Sequence, residues 1–214
     1  VMRAFDRSVD AIIETHPDAD HIAGFIDLLL RYQVGAVIEP GIPKETLTWE
    51  RLQTEIKEQQ IPHLIARRGM LLELGGGVTL EVLYPDTDVS GLSSDKANEG
   101  GVVLKLSYGD ATMLFMADVS SKVETRLLTL EGGELDVDLL KVGHHGSRTS
   151  TSDAFVKAVT PAAAIISVGA DNNYGHPTSD VLQTLTKNAA TPLRTDQEGT
   201  MVFVSNGGEF VRTR

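Results

Sequence analysis

The hydrophobic positions of this chain change their spacing several times between its two ends. Short apolar and β-branched runs predict strands at residues 9–14, 34–38, 137–142 and 162–168. Apolar residues at helical spacing predict helices between and after these strands, over residues 22–31, 46–59, 121–130, 152–159 and 179–187. This alternation predicts an α/β fold in which helices pack on sheets.

The central part of the chain differs because its strands follow one another without intervening helices. These strands are predicted at residues 70–74, 78–84, 102–108 and 112–116. The last two are joined by Gly109-Asp110, a tight turn, and Asn206-Gly207-Gly208 predicts a closing hairpin. The polar segment 85–101 is predicted to be a loop. With 214 residues and no linker, residues 1–214 are expected to form one domain.

Composition narrows the chemistry that this fold could carry. The chain has 30 acidic and 19 basic residues and a formal net charge of −11, which argues against a broad basic face for nucleic acid. It has no Cys, so disulfides, thiol nucleophiles and Cys-ligated metals are excluded, and a transition metal would need His, Asp or Glu ligands. Its apolar stretches are much shorter than the roughly 20 residues that a membrane-spanning helix needs.

The densest group of candidate ligands lies between the first predicted strand and the first helix. There His16, Asp18, Asp20 and His21 fall within six consecutive residues, HPDADH. Four potential ligands on one turn at a strand end can converge on a small volume, which is typical of a metal site. The alternative is a polar loop in which Asp20 caps the helix.

Three further strand ends carry similar side chains. Asp118 ends a predicted strand just before a helix, so a helix cap is the alternative to a metal ligand. His144 and His145 lie in a glycine-bounded turn, and we expect one of them to bind metal and the other to face substrate. The sequence pattern does not indicate which of the two has which role. His176 lies in the segment 169–177, whose alternative interpretation is an ordinary turn.

The shared placement of these residues favours function over coincidence. Four separate strands each end in a loop that carries His or Asp, and open α/β sheets place their ligands at such strand ends. His63 follows Pro62 among apolar residues with no carboxylate near it in the sequence, so we interpret it as structural.

Five motifs in this order resemble the metallo-β-lactamase fold: HPDADHIAG, NEGGVVLKLSYG, LFMAD, LLKVGHHGSRTSTS and SVGADNNYGHP. Within that superfamily they most resemble the C-terminal domain of ComEC-type competence proteins, which are DNA-uptake channel proteins. The resemblance implies an αββα sandwich with two metal ions at one edge. The strands that open this fold would precede HPDADH by several tens of residues, so we expect the chain to lack its first N-terminal strands, to expose a strand edge and to be less stable than an intact domain.

The resemblance also implies roles for individual residues. His16 and Asp18 would hold one metal, Asp20 and His21 the other, and Asp118 would bridge them. The metal shell would be completed by His144 or His145 and by His176. Two departures are that Asp18 replaces a His of the wider superfamily and that Ala117 precedes Asp118 where a glycine is usual; because the Asp is retained, we expect the second to cost little.

From these roles we expect a two-metal hydrolase, a phosphodiesterase or nuclease that degrades DNA. Single-stranded DNA is the substrate that we expect first. Carboxylate ligands favour Mn²⁺ without excluding Zn²⁺. The catalytic candidates are Asp20, His144 and His145, and candidate substrate contacts are Asn98, Lys141, Ser147 and Arg148. Alternatives are hydrolysis of a small ester, lactone or lactam, and a non-catalytic module of an uptake channel. Possible partners are membrane-channel domains, which would place the chain at the extracytoplasmic side of a membrane; otherwise it would be soluble.

Overall fold

Two β-sheets lie face to face in this protein, and helices cover both outer surfaces. The computed structural model describes residues 6–132 and 135–214. The helices are α1 Ala19–Arg31, α2 Leu47–Glu58, α3 Ser121–Leu130, α4 Asp153–Val159, α5 Ser179–Lys187 and α6 Thr195–Glu198. The strands are β1 Ser8–Val9, β2 Ile12–Ile13, β3 Gln33–Val34, β4 Val37–Glu39, β5 His63–Ile65, β6 Leu71–Gly75, β7 Val78–Tyr84, β8 Val103–Tyr108, β9 Ala111–Phe115, β10 Leu139–Lys141, β11 Ala163–Ile166, β12 Thr191–Arg194, β13 Phe203–Ser205 and β14 Phe210–Arg212.

The larger sheet has seven strands in the order β12-β11-β10-β9-β8-β7-β6. Strands β6 to β9 pair antiparallel, and β9 to β12 pair parallel. The smaller sheet is parallel, in the order β2-β4-β5. A separate short parallel pair is formed by β1, which precedes β2 in the chain, and β3, which precedes β4. The carboxyl ends of β9, β10 and β11 therefore lie at one edge of the larger sheet.

The smaller sheet separates two apolar layers because side chains on a strand alternate between its faces. Ile12 and Val37 pack with buried residues of α1 and α2 on the outer side. Ile13 and Ile38 pack on the inner side, against a cluster that includes Val82 of the larger sheet. The central strand β4 is thus buried on both faces, as strands of parallel sheets usually are, whereas the edge strand β5 is exposed.

The outer face of the larger sheet packs against α3, α4 and α5. Buried side chains from β9 and β10, such as Leu114 and Leu140, meet Leu127, Phe155 and Leu185 of these helices. The order of layers is helices, small sheet, large sheet, helices. The predicted αββα sandwich is confirmed.

One side of the sandwich exposes strand edges. Strand β2 is the outermost strand of the smaller sheet and β6 is the outermost strand of the larger one. A cleft of about 900 Å³ lies between them and is lined by residues of the segments 6–13 and 72–75 together with Leu80. Within residues 6–132 and 135–214 no further strand pairs with β2 or β6 at this side. The expected lack of the first N-terminal strands stays a prediction.

The sequence patterns missed two strands and in two places predicted a single strand where the structure has two. Strands β5 and β12 have only three and four residues and lie at sheet edges, and β12 contains Pro192, so neither carries a clear periodicity. The strand predicted at residues 9–14 is divided into β1 and β2, and the strand predicted at residues 34–38 is divided into β3 and β4. The predicted loop at 85–101 includes a short 3₁₀ helix, Ser94–Gly100. Both predicted hairpins are present.

Two buried carboxylates lie at the carboxyl end of the smaller sheet. Glu14 is 1% exposed, and neither of its carboxylate oxygens has a hydrogen-bond partner within the described residues. Glu39 at the end of β4 is also buried, and its Oε1 lies 2.9 Å from Nε2 of His63. A carboxylate does therefore lie near His63, contrary to the sequence interpretation, because β4 and β5 are neighbours.

Burial raises the pKa of Glu14 to about 8, and the nearby charge of Glu39 adds to this. The folded state therefore keeps the Glu14 proton in the range from pH 4.5 to about 8, in which the unfolded chain releases it. A group with a raised pKa in the folded state contributes stability that is present below pH 4.5 and lost as the pH rises toward 8.

We predict that Glu14→Gln, which mimics the protonated carboxyl, weakens this loss. Between pH 5 and pH 8 the free energy of unfolding should decrease in both proteins, and the decrease should be smaller in the variant by more than about 1 kcal/mol. Urea unfolding in the presence of EDTA at the two pH values measures both decreases. Glu58→Gln, at an exposed position of α2, is the matched control and should follow the unchanged chain. An equal loss in all three proteins would contradict the prediction.

Candidate metal centre

The candidate ligands come together at the carboxyl ends of four strands. His16 follows β2 of the smaller sheet, and Asp118 follows β9 of the larger one. The turn with His144 and His145 follows β10, and the loop with His176 follows β11. The two sheets pack face to face, so these loops meet across the end of the sandwich, where α/β sheets place ligands.

Helix α1 begins at Ala19, earlier than the sequence pattern predicted, and this places Asp20 and His21 in its first turn. The residue at the cap position is Asp18, yet its side chain makes no cap hydrogen bond. Asp18 instead forms an ion pair with Lys44. The alternative interpretation, with Asp20 as helix cap, was therefore wrong.

The carboxylate of Asp118 lies at the centre of the cluster and is 4% exposed. Its Oδ2 is 3.4 Å from Nε2 of His145, 3.5 Å from Nε2 of His21 and 3.9 Å from Nε2 of His144. Its Oδ1 has no hydrogen-bond partner in the part of the chain that the structure describes. Helix α3 is capped by Ser120 rather than Asp118, so a capping role does not account for this carboxylate.

The remaining two carboxylates, of Asp18 and Asp20, also lie near imidazoles. Oδ2 of Asp18 is 3.8 Å from Nε2 of His16, and Oδ2 of Asp20 is 3.7 Å from His21 Nε2 and 3.9 Å from His145 Nε2. Two groups of three residues have ligand atoms within 4.8 Å of one another, namely His16, His21 and Asp118, and Asp20, His21 and His145. The two groups share His21, so the cluster could hold two adjacent cations.

One hydroxyl contacts two of these imidazoles. Oγ1 of Thr15 lies 3.2 Å from Nδ1 of His16 and 3.2 Å from Nδ1 of His21. A hydroxyl oxygen has two lone pairs and can accept from both Nδ1–H groups. Both rings would then leave the lone pair of Nε2 free on the side of the carboxylates. The sequence showed Thr15 only as the residue before His16 and did not indicate this role.

The structure distinguishes the two adjacent histidines. His145 Nδ1 is 2.7 Å from the carbonyl oxygen of Ser167, which can only accept, so Nδ1 carries the proton and Nε2 has a free lone pair. His144 Nδ1 is 3.3 Å from Oγ1 of Thr149, which can donate or accept. The tautomer of His145 is therefore fixed by a backbone carbonyl of the loop after β11. The hydroxyl beside His144 is compatible with either tautomer of that ring.

The charges of the cluster are mutually dependent. Burial would raise the pKa of Asp118, but the contact with His21 and the charges of His21, His145 and His16 hold it below its usual range. Burial and the neighbouring His21 lower the pKa of His16 to about 4, although the nearby carboxylates oppose this. At neutral pH the cluster thus has an ionised Asp118 and a neutral His16, both of which are forms that bind metal.

The backbone is strained at the same place. Ala117, His144 and His145 have φ angles of 46°, 47° and 53°, in the left-handed region that non-glycine residues seldom adopt. Each such residue costs of the order of 1 kcal/mol or more. The Ala117 substitution for the usual glycine was expected to cost little, but its φ shows why glycine suits this position. The peptide N–H of His144 donates to the carbonyl oxygen of Ala117, at 3.0 Å, which holds the two strained turns together.

The candidate substrate contacts have different surroundings. Asn98 lines a pocket of about 390 Å³ together with Asp118 and His144. Lys141 is partly buried, and its Nζ donates to the carbonyl oxygen of Val142, at 3.0 Å; burial lowers its pKa, although Asp118 opposes this. Ser147 is buried, and its Oγ is 3.1 Å from Oγ1 of Thr149, so it supports the turn.

Arg148 is not brought to the cluster. Its Nε lies 3.3 Å from Oδ2 of Asp180, and it lines a different pocket with residues of α4 and α5. His176 lies at the far side of the cluster, with its ring 5.8 Å from that of His144. Lys44 and Thr149 were not identified from the sequence. Lys44 lies outside the ligand motifs and only the fold brings it to Asp18, whereas Thr149 lies within the motif LLKVGHHGSRTSTS, five residues after His144, and was not singled out.

None of the helices within residues 6–132 and 135–214 is long and apolar enough to cross a membrane. The sequence profile of the Metallo-beta-lactamase superfamily matches residues 3–170. ComE operon protein 3 of Bacillus subtilis is 32% identical over 198 residues, which are 92% of this chain and 25% of that protein. Competence protein ComA of Neisseria gonorrhoeae is 32% identical over 203 residues, 94% of this chain and 26% of that protein. The chain thus spans about a quarter of the length of these relatives.

Solved structures show the same fold. CmlA, a diiron beta-hydroxylase from Streptomyces venezuelae, superposes with a TM-score of 0.57 at 16% identity, over 89% of this chain and 44% of that one. A putative metal-dependent hydrolase from Parabacteroides distasonis superposes with a TM-score of 0.55 at 12% identity, over 90% of this chain and 78% of that one. The sequence profile and the cluster of His and Asp support a metal-dependent hydrolase. The chain belongs to the metallo-β-lactamase superfamily.

Proposed function

We propose that this chain is a two-metal phosphodiesterase that hydrolyses DNA, with single-stranded DNA as its preferred form. The observation that carries the proposal is the position of Asp118, whose carboxylate lies within 3.9 Å of three imidazoles, one from helix α1 and two from the turn after β10. A buried carboxylate with an unpartnered oxygen among the described residues is suited to bridge two cations. The names of the competence relatives support a role in DNA uptake.

The residues fit two divalent cations. His16 and Asp18 would hold one, Asp20 and His21 the other, and Asp118 would bridge them. Of the adjacent pair, His145 is the better ligand, because its Nδ1 proton is committed to the Ser167 carbonyl. His176 would complete the shell. When bound, such cations supply an activated water and neutralise charge on the phosphate; with three carboxylates in the shell, Mn²⁺ is favoured over Zn²⁺.

His144 is the residue of the pair that faces substrate. Together with Asp118 it lines the pocket of about 390 Å³, whose walls also carry Lys96, Asn98 and Lys122 and the carboxylates of Asp95 and Glu99. The lysine side chains can bind phosphate oxygens, and Asn98 can donate a hydrogen bond to them. His144 would hold a proton at Nε2 and pass it to the leaving oxygen, while Thr149 orients the ring from Nδ1.

The net charge of −11 does not oppose this function. Much of the negative charge at the site belongs to the proposed ligands Asp18, Asp20 and Asp118, and two divalent cations would add about four positive charges there. A phosphate would therefore meet a positive site on an acidic protein. The absence of a broad basic face is consistent with an enzyme that binds DNA at its metals.

We predict that Asp20→Ala lowers Mn²⁺-dependent cleavage of a labelled single-stranded oligonucleotide by at least about 100-fold, because one cation loses a carboxylate ligand. Elemental analysis should find about two metals per unchanged chain and fewer in the variant. Asp27→Ala, at an exposed position of the same helix, is the control and should keep both properties. Full cleavage by Asp20→Ala would refute the proposal. Chromogenic esters cleaved in place of DNA would assign a small-ester hydrolase instead.

A second prediction concerns Thr15, which contacts one imidazole from each proposed metal. Thr15→Val keeps the shape of the side chain but removes the oxygen that accepts from both Nδ1–H groups. Loss of such an outer hydrogen bond weakens metal binding by about 10- to 100-fold. Competition with a metal chelator measures this affinity without any need for catalysis. Thr15→Ser retains the hydroxyl and should restore it. Equal affinity of the Val and Ser variants would contradict the role.

A further inference from the structure

Tyr174 is an unusually exposed aromatic residue beside the metal centre. Its side chain is 83% exposed, although it is large and partly apolar. The ring lies almost parallel to that of His176, with 6.0 Å between the centroids and 24° between the planes. The tyrosine ring therefore lies beside the His176 ring and is largely open to solvent.

The loop that carries this ring is stabilised by hydrogen bonds of one side chain, Asn172. The Asn172 amide nitrogen donates to the carbonyl oxygens of His176, at 2.9 Å, and of Gly169, at 3.0 Å. In return the peptide N–H of His176 donates to the Asn172 side-chain oxygen, at 3.0 Å. These bonds set the position of His176, and the stacked Tyr174 ring is held with it.

A small cavity connects this ring to the proposed ligands. Its volume is about 160 Å³, and its walls come from the loop after β11 and from the cluster: Asp20, His145, Val168, Gly169, Asn172, Tyr174 and His176. A side chain added at Gly169 would meet only open space, so the backbone leaves this approach clear. The pocket that carries Lys96 and Lys122 reaches the cluster at Asp118 and His144 instead, and the two cavities share no lining residue.

We propose that Tyr174 is the stacking platform for a nucleobase next to the scissile phosphate; this inference rests on the proposed function. Every base has a π-face, so stacking on one tyrosine is tolerant of sequence. A base must leave its duplex neighbours to reach the ring, and therefore the platform selects single-stranded DNA. The lysine pocket binds backbone phosphate, and Tyr174 binds a base.

The test compares two substrates with the same backbone, a dT 12-mer and a 12-mer in which every nucleotide is abasic. Removal of a stacking side chain costs about tenfold in base-dependent affinity. We expect Tyr174→Ala to raise KM for the dT 12-mer about tenfold with kcat little changed, and to leave the abasic substrate unaffected. Tyr174→Phe keeps the ring and should behave like the unchanged chain. Val211→Ala, at a half-exposed position of the closing hairpin, is the control.

The outcomes separate the two proposals. If the unchanged chain cleaves both substrates and Tyr174→Ala affects them equally or not at all, the platform is refuted and the phosphodiesterase stands. If the unchanged chain cleaves neither, the proposed function fails. Fluorescence anisotropy of the labelled dT 12-mer then tests the platform separately, because Tyr174→Ala should still weaken binding about tenfold while Tyr174→Phe does not. Equal binding by the three proteins would overturn it.

Discussion

The buried carboxylate of Asp118 is the constraint on which the functional end of this protein depends. An ionised group that is 4% exposed needs polar partners, and the imidazole nitrogens nearest to it come from α1 and from the turn after β10, at 3.4–3.9 Å. Each of those imidazoles must then be oriented by its other nitrogen. Thr15, Ser167 and Thr149 do this, so that one buried charge organises four loops.

The sandwich supplies the rigidity that this arrangement needs. The carboxyl ends of β9, β10 and β11 are held in register by parallel pairing, and the smaller sheet brings His16 to the same edge through packing of Ile13 and Ile38 against the larger sheet. Positive φ angles at Ala117, His144 and His145 show that the turns are strained. Strain of this kind persists where the surrounding packing outweighs its cost, and it is common at functional sites.

The two cavities that reach the His and Asp cluster differ in chemistry. The pocket beside His144 carries charged side chains of both signs, including two lysines, and the cavity beside His145 carries an exposed tyrosine. A polynucleotide has both a charged backbone and flat bases, and it can use both cavities at once, whereas a small ester would use neither fully. This difference supports the nuclease over the alternatives that the sequence left open.

Much of this protein followed from its sequence alone. The long periodic helices α2 to α5 were predicted to within about two residues, because their apolar spacing extends over many positions. The strand ends that carry His16, Asp118, His144 and His176 were also identified, since polar ligands after apolar strands are a local pattern. Strands β5 and β12 were missed because short edge strands are stabilised by their neighbours and carry little pattern of their own.

Only the tertiary structure decided which side chains meet. It placed Glu39 against His63 and Arg148 against Asp180, and it set the tautomer of His145 through the carbonyl of Ser167. It also brought Lys44 to Asp18 and placed the ring of Tyr174 against that of His176. Ligand types are local properties of a chain, but their partners and tautomers depend on atoms that folding brings from distant positions, and those contacts leave no periodicity in the sequence.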